Sequence, residues 1–221
     1  MSFWPLRIHL VLFVTLSLAF TGCSKTHVKE IPGSVTGIEA GDRITVVLDY
    51  EGGSPQKAEK LEKSIGDCIS DAMMRRNLSV RFIPPGEFRR AVFTDMDIIS
   101  APSTREAILG FLSSPPFREK IKSLNLRYLI TVREKTGFYY DRFEGGPEFY
   151  SGGVSHEKST ELVANIIDLQ EASDSGEFQV TVKDTGYYGC VAYLPLFIPA
   201  FTESRACKTL GRAVTKFLMG E

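Results

Sequence analysis

The sequence predicts an α/β fold: a single mixed sheet with an N-terminal βαβ unit, later antiparallel strands, and helices packed on it that include one at the C-terminus. Three observations carry this reading. A β-branched run, an amphipathic helix and a second apolar run follow one another between Ile44 and Ile83. Two later apolar segments flank a polar turn at Glu171 to Gly176. A last stripe at helical spacing follows Thr202.

In chain order, Ile44-Thr45-Val46-Val47-Leu48 is the kind of run that a strand buried on both faces requires. Ser54 before Pro55 is a helix start, with Ser as N-cap and Pro at the first helical position. Leu61, Ile65, Cys68 and Ala72 then form one stripe at spacings of three and four, and the helix stops before Asn77. Leu78 to Ile83 is a second strand, ended by Pro84-Pro85. Strand, helix and strand so close together make a βαβ unit with parallel strands and a right-handed crossover.

Two helices are expected before the third strand. Ser103 with Glu106 forms a capping-box pattern ahead of Ile108, Leu109 and Leu112, and Ser114-Pro115 opens the other around Phe117 to Leu124. Arg127 to Val132 is the third strand. Thr160 to Leu169 and Phe178 to Val182 pair antiparallel, and Phe178, Val180 and Val182 alternate with Gln179, Thr181 and Lys183, so one face of that strand is wet. Thr202 beside Glu203 caps the last helix, whose stripe is Cys207, Leu210, Val214 and Phe217.

The 221 residues are 43% hydrophobic and 24% charged. These proportions exclude disordered, collagen-like and polytopic membrane chains. Lys+Arg 26 against Asp+Glu 27 leaves no basic excess, which argues against a nucleic-acid partner.

The first residues read as an address. Met1 to Arg7 ends in a positive charge, Ile8 to Thr21 is a mostly apolar run, and Gly22 precedes Cys23, the grammar of a signal peptide. As a helix the run spans about 21 Å, short of a bilayer core of roughly 30 Å. At Leu18-Ala19-Phe20-Thr21-Gly22-Cys23 the segment resembles a bacterial lipoprotein signal, with Phe20 where that family favours Leu. The resemblance implies that residues 1–22 are removed and that Cys23 becomes the lipidated first residue. Ser24 then suggests the outer membrane of a Gram-negative envelope, with the inner membrane and cell surface still open. An ordinary cleaved signal with an incidental Cys is the alternative. Loss of Arg7 leaves a net charge near −2, which provides no electrostatic drive toward anionic lipid.

Ser24 to Asp42 is polar, shows neither helical nor strand period, and reads as a flexible tether, so the domains are expected as 1–22 signal, 23–42 lipidated Cys and tether, and 43–221 periplasmic α/β domain. The element order resembles, in topology only, the periplasmic α/β domain of the curli-secretion lipoprotein family. No motif after Cys23 carries that likeness, and fold does not confer function.

Cys68, Cys190 and Cys207 remain in an oxidising compartment. Three pairings are possible. Cys68 and Cys207 lie on the buried stripes of the first and last helices, so a bridge between them forms if those helices pack side by side, leaving Cys190 spare; Cys190 with Cys207, or no bridge at all, are the alternatives. There is no G-x-S-x-G, Walker A, G-x-G-x-x-G, H-E-x-x-H or C-x-x-C pattern, and the domain holds one histidine, His156, read as a polar loop residue. No catalytic residue, metal site or cofactor is therefore assigned.

The stretch Gly137 to Lys158 is the most distinctive candidate binding loop, with Phe138, Tyr139, Tyr140, Asp141, Phe143, Glu144, Phe149 and Tyr150 among glycines. Aromatics there can stack on sugars or anchor a protein partner; the alternative is cover for the sheet edge, or disorder. Tyr187 to Phe201 is either a buried crossing to the last helix or an exposed flap. The sequence thus reads as a non-enzymatic, lipid-anchored binding, structural or assembly component, partnered by the membrane and another envelope protein. The alternatives are a subunit of an outer-membrane secretion pore and a cell-wall or glycan hydrolase acting through Asp141, Glu144 and Glu148 on the Gly137 to Lys158 loop.

Overall fold

The computed structural model describes residues 24–33, 38–39, 41–49, 54–78, 80–93, 104–112, 114–145, 152–171, 173–191 and 194–221. Among them, strands β1 (Lys25–Pro32), β2 (Arg43–Leu48), β3 (Arg81–Ile83), β4 (Leu126–Gly145), β5 (Gly152–Asp168), β6 (Ser173–Val191) and β7 (Leu194–Ile198) form one sheet. Helices α1 (Pro55–Arg75), α2 (Pro85–Val92), α3 (Arg105–Leu112), α4 (Pro115–Ser123) and α5 (Thr202–Leu218) accompany it. The strand order is β1-β6-β5-β4-β2-β3, with β7 on β6. The expected mixed α/β sheet is the observed one.

The βαβ unit forms as read. β2 pairs parallel with β3, Ile44 opposite Phe82, and parallel with β4, Val46 opposite Ile130. Ile44, Val46 and Leu48 enter one core with Ile65, Ile69 and Met73 of α1 and Leu210 and Val214 of α5. Val47 enters a second core with Phe88, Ile108, Phe117 and Ile121 of the shorter helices. Two covered faces are why β2 has no polar alternation. Thr45 is buried there, its hydroxyl donating to Ile83 O at 2.9 Å.

Local chemistry sets the ends of α1. Ser54 Oγ accepts from Lys57 N–H at 3.3 Å. Asn77 takes the left-handed conformation, φ 53°, as Leu78 N–H returns to Met73 O and Asn77 N–H to Met74 O. That is a Schellman ending with Asn in the place glycine usually takes.

Four expectations are corrected. Lys25–Pro32 is an edge strand, although Val28 and Ile31 are 43% and 45% exposed. Its pairing rests on main-chain hydrogen bonds to β6, which need no buried side chains and leave no apolar pattern to read. Among the described residues three helices, not two, lie between β3 and β4, because Pro84-Pro85 ends β3 and also opens α2, where Pro sits at the first helical turn. Thr104 Oγ1, one residue after the expected cap, accepts from Ala107 N–H at 3.3 Å; Ser103 lies outside the described residues. Gly137 to Lys158 is not a loop through most of its length, since β4 runs to Gly145 and β5 starts at Gly152.

β4, β5 and β6 are joined by residues 146–151 and 169–172, far too short for a parallel crossover, so the three run antiparallel. Asp168, fully buried, opens the second turn: its Oδ1 accepts from Gln170 and Glu171 N–H at 2.8 and 3.1 Å, and its Oδ2 from Arg127 Nε at 3.0 Å. Burial opposes the charge of Arg127, yet the hydrogen bond to Asp168 and the nearby Tyr128, Asp168 and Asp42 more than offset it and raise its pKa above the ordinary value. The alternation of β6 holds: Phe178, Val180 and Val182 are fully buried, Thr181 is half-buried and Lys183 exposed, and Gln179 Nε2 donates to Glu161 at 2.7 Å.

The chain forms two compact units. The larger comprises Thr26–Gly137, Thr160–Val182 and Thr202–Glu221 and holds both cores; the smaller includes Phe138–Ser159 and Lys183–Phe201.

Candidate functional site

The smaller unit contains most of the residues singled out from sequence. Tyr139, Tyr140, Asp141, Phe143 and Glu144 lie on β4, Phe149 and Tyr150 lie outside the described residues, and His156 is half-buried on β5 rather than on a loop. β4 therefore carries five of the binding candidates along a strand. Phe138 and Tyr139 are 56% and 61% exposed, far above what a sheet residue with a packing partner retains. Lys158 Nζ stands 5.1 Å from the centroid of the Phe138 ring, a cation–π contact within the unit. Glu157 and Lys183 make an exposed ion pair at 3.5 Å, worth little energetically.

Tyr187 to Phe201 also proves to be hairpin rather than crossing. β6 and β7 pair antiparallel from Tyr187 opposite Ile198 to Val191 opposite Leu194. Pro195 sits opposite Cys190, and β7 lies off the main strand order, on the kind of peripheral strand where a residue without N–H is tolerated. Buried Asp184 then accepts from Phe201 N–H at 3.3 Å and from Thr185 N–H at 3.0 Å. Held there, Phe201 is 56% exposed. Among the described residues, three aromatic side chains on this unit thus face solvent.

In the larger unit, Cys68 and Cys207 form the disulfide, with Cα atoms 5.9 Å apart. The spare Cys190 is in β6, and Cys23 lies outside the described residues. Sequence reading did not find a polar cluster at the carboxyl end of β2. Glu62 Oε1 accepts from Leu48 N–H at 2.8 Å and from Arg89 Nη2 at 2.6 Å, with both side chains over nine-tenths buried. Beside them, Asp49 Oδ2 accepts from Arg133 Nε at 2.9 Å. Glu62 sits one residue beyond Leu61 of the apolar stripe, and a charged residue at the stripe margin was the available signal. The cluster ties α1, α2, β2 and β4 together and satisfies the last donor of a buried strand.

No protein-family model matches the chain, and no curated protein matches it. Among solved structures it is similar to the PelC dodecamer from Paraburkholderia phytofirmans at 13% identity and a TM-score of 0.42, covering 89% of this chain and 99% of that one. It is similar to a neuraminyllactose-binding hemagglutinin homolog from Helicobacter pylori at 14% identity and a TM-score of 0.44, covering 85% and 90%. It is also similar to the protein CT253 from Chlamydia trachomatis at 8% identity and a TM-score of 0.40, covering 82% and 100%. All three TM-scores fall below 0.5, so no function passes from these proteins to this one.

Proposed function

We propose that the chain is a lipid-anchored protein of the bacterial envelope that works by binding, as a structural or assembly component, with its lipid on Cys23 in the outer membrane and its domain in the periplasm. The observation that carries the binding role is the trio Phe138, Tyr139 and Phe201, each more than half exposed and all on the smaller unit. Large aromatics bring much contact area at little conformational cost, which is why they dominate protein interfaces. The sequence Leu18 to Cys23 supports the anchor, and two acyl attachments on one cysteine meet the need for more than one chain. β1 starts at Lys25, two residues after Cys23, so on this reading the sheet follows its anchor with almost no tether.

A photoreactive residue at Tyr139 or Phe201, in intact envelopes, tests the binding role. A discrete protein adduct that the same residue at Lys122 on α4 does not form is the expected result. Identical patterns at all three positions overturn it. Labelled palmitate entering the wild type and not a Cys23→Ser variant is expected for the anchor; incorporation into both, or neither, defeats it.

The pore-subunit reading draws on the β4–β5 hairpin, whose strands of 20 and 17 residues exceed the roughly 9–11 that a transmembrane β-strand needs. Ring-shaped particles in detergent extracts would favour it, and a monomeric extract would eliminate it.

A further inference from the structure

The chain is nearly neutral, yet its charges are not evenly placed. Between α1 and α5, both in the larger unit, runs a groove of about 470 Å³ lined by Cys68, Ala72 and Thr215 on its floor and by Arg75, Arg76, Lys208, Arg212 and Lys216 on its walls. Asp71 is the one acid among the lining residues, so five cations face one carboxylate. Among the described residues, Arg76 reaches Glu221 at 3.8 Å, while Arg75, Lys208, Arg212 and Lys216 enter no ion pair. The Arg212 guanidinium lies along its own helix, donating to Lys208 O and Thr209 Oγ1 at 3.3 and 3.4 Å.

Lys208, Arg212 and Lys216 are spaced by four, in one exposed line on α5. Like charges at that spacing destabilise a helix. Arg75 and Lys216 sit in the last turns of their helices and offset the macrodipole there. That effect fades within one turn, so it accounts for neither Lys208 nor Arg212.

The helices run in the same direction, with Cys68 bonded to Cys207, Gly211 against Cys68, and Arg76 near Glu221. Their carboxyl ends therefore meet at one end of the groove, where Met219, one turn beyond Thr215, is 38% exposed. An exposed apolar side chain beside lysines and arginines fits a membrane-contacting surface, in which Met219 enters the acyl boundary and the cations meet phosphates. We infer that the α1–α5 face seats the phosphate headgroups of an anionic phospholipid membrane. The near-zero net charge concealed this, because attraction to a surface depends on the charges within a Debye length of it, about 8–10 Å, and not on the molecular sum.

The test uses the full chain carrying Trp4→Phe and Met219→Trp, which places a single indole at the carboxyl end of the groove-lining side of α5. It is mixed with vesicles of phosphatidylcholine, or of equal phosphatidylcholine and phosphatidylglycerol, each with brominated acyl chains. Blue-shifted and quenched emission in the mixed vesicles alone, reversed by salt, is the expected result. Each basic side chain at such a surface is worth roughly five-fold in partitioning, so Lys208→Gln, Arg212→Gln and Lys216→Gln together weaken the contact by about 100-fold. Lys122→Gln on α4 leaves it unchanged. A non-reducing gel showing the Cys68–Cys207 bridge confirms that the variants fold. Equal signals in both vesicles, a triple variant that keeps the shift, or a concentration-dependent shift without vesicles each overturn the inference. Flotation with phosphatidylcholine alone reports the Cys23 anchor separately. Flotation without an indole shift rejects this face and leaves the anchor, and the converse result rejects the anchor and leaves this face.

Discussion

Gly211 of α5 lies directly against the backbone of Cys68 in α1: a Cβ built on it would stand 2.6 Å from the Cys68 carbonyl oxygen and 3.3 Å from Cβ of Ala72. Backbone carbonyls cannot step aside as a flexible side chain can, so the helix pair closes only because this position has no side chain. Glycine inside a helix costs about 0.5–1 kcal/mol relative to alanine. Here the close approach outweighs that preference. Gly211→Ala is therefore expected to lower the unfolding free energy by about 1–3 kcal/mol, the range for overpacking. Urea denaturation measures it, and a stabilised variant would show that the helices stand further apart.

The disulfide beside that contact closes 139 residues of sequence. Cross-links of this reach stabilise chiefly by restricting the unfolded chain, so Cys68→Ser with Cys207→Ser is expected to cost about 2–5 kcal/mol. Reductant should destabilise the wild type by a similar amount and leave the double variant unmoved. Equal sensitivity of both proteins to reductant would place the bridge elsewhere.

Arg89 and Glu62 form an ion pair over nine-tenths buried, with Leu48 N–H on the same carboxylate. Arg89→Met leaves that carboxylate buried without its cation and is expected to cost about 3–5 kcal/mol. Adding Glu62→Gln removes the charge but keeps an acceptor for Leu48, so the double variant should recover part of the loss. A thermodynamic cycle in denaturant reads this directly, and strict additivity of the two substitutions would deny the coupling.

Asp168→Ala removes the acceptor shared by Arg127, Gln170 and Glu171 and leaves the guanidinium half-buried beside an apolar residue. The expected loss is about 2–3 kcal/mol, the cost of hydrogen bonds to a charged group. Because the raised pKa of Arg127 keeps it protonated, its part of this stability is fully present below the ordinary Arg range and fades only as pH climbs through the raised value. Thermal melts of wild type and variant should therefore differ by a constant interval from pH 6 to 9, and an interval that shrinks across that window would contradict the assignment.

The elements that were legible in sequence are those whose own residues suffice. β2 needs two apolar faces, α1 carries its cap at Ser54 and its stripe in Leu61 to Ala72, and α5 carries its stripe in Cys207, Leu210 and Val214, whereas Thr202, expected as its cap, is its first helical residue and bonds through its hydroxyl to Thr160. The pairing of Cys68 with Cys207 followed from two buried stripes. β1 was illegible because an edge strand on a sheet is made by hydrogen bonds that leave no mark on side-chain pattern. The extent of β4 and β6 was hidden for a related reason: glycines and mixed polar and aromatic residues from Gly137 to Gly145 read as loop until each strand finds its neighbour. The aromatic candidates could be named, but their strand setting and the exposure of Phe138, Tyr139 and Phe201 could not.

Local chain chemistry thus decides the βαβ start, the helix caps, the reach of the apolar stripes and the address-like first residues, since each depends on neighbours a few positions away. Only the folded arrangement brings Arg75 and Arg76 of one helix alongside Lys208, Arg212 and Lys216 of another, more than 130 residues later, and sets Glu62 against Arg89. Electric fields and close packing act through space, so a composition that sums to almost no charge still presents a strongly cationic face once two helices lie together.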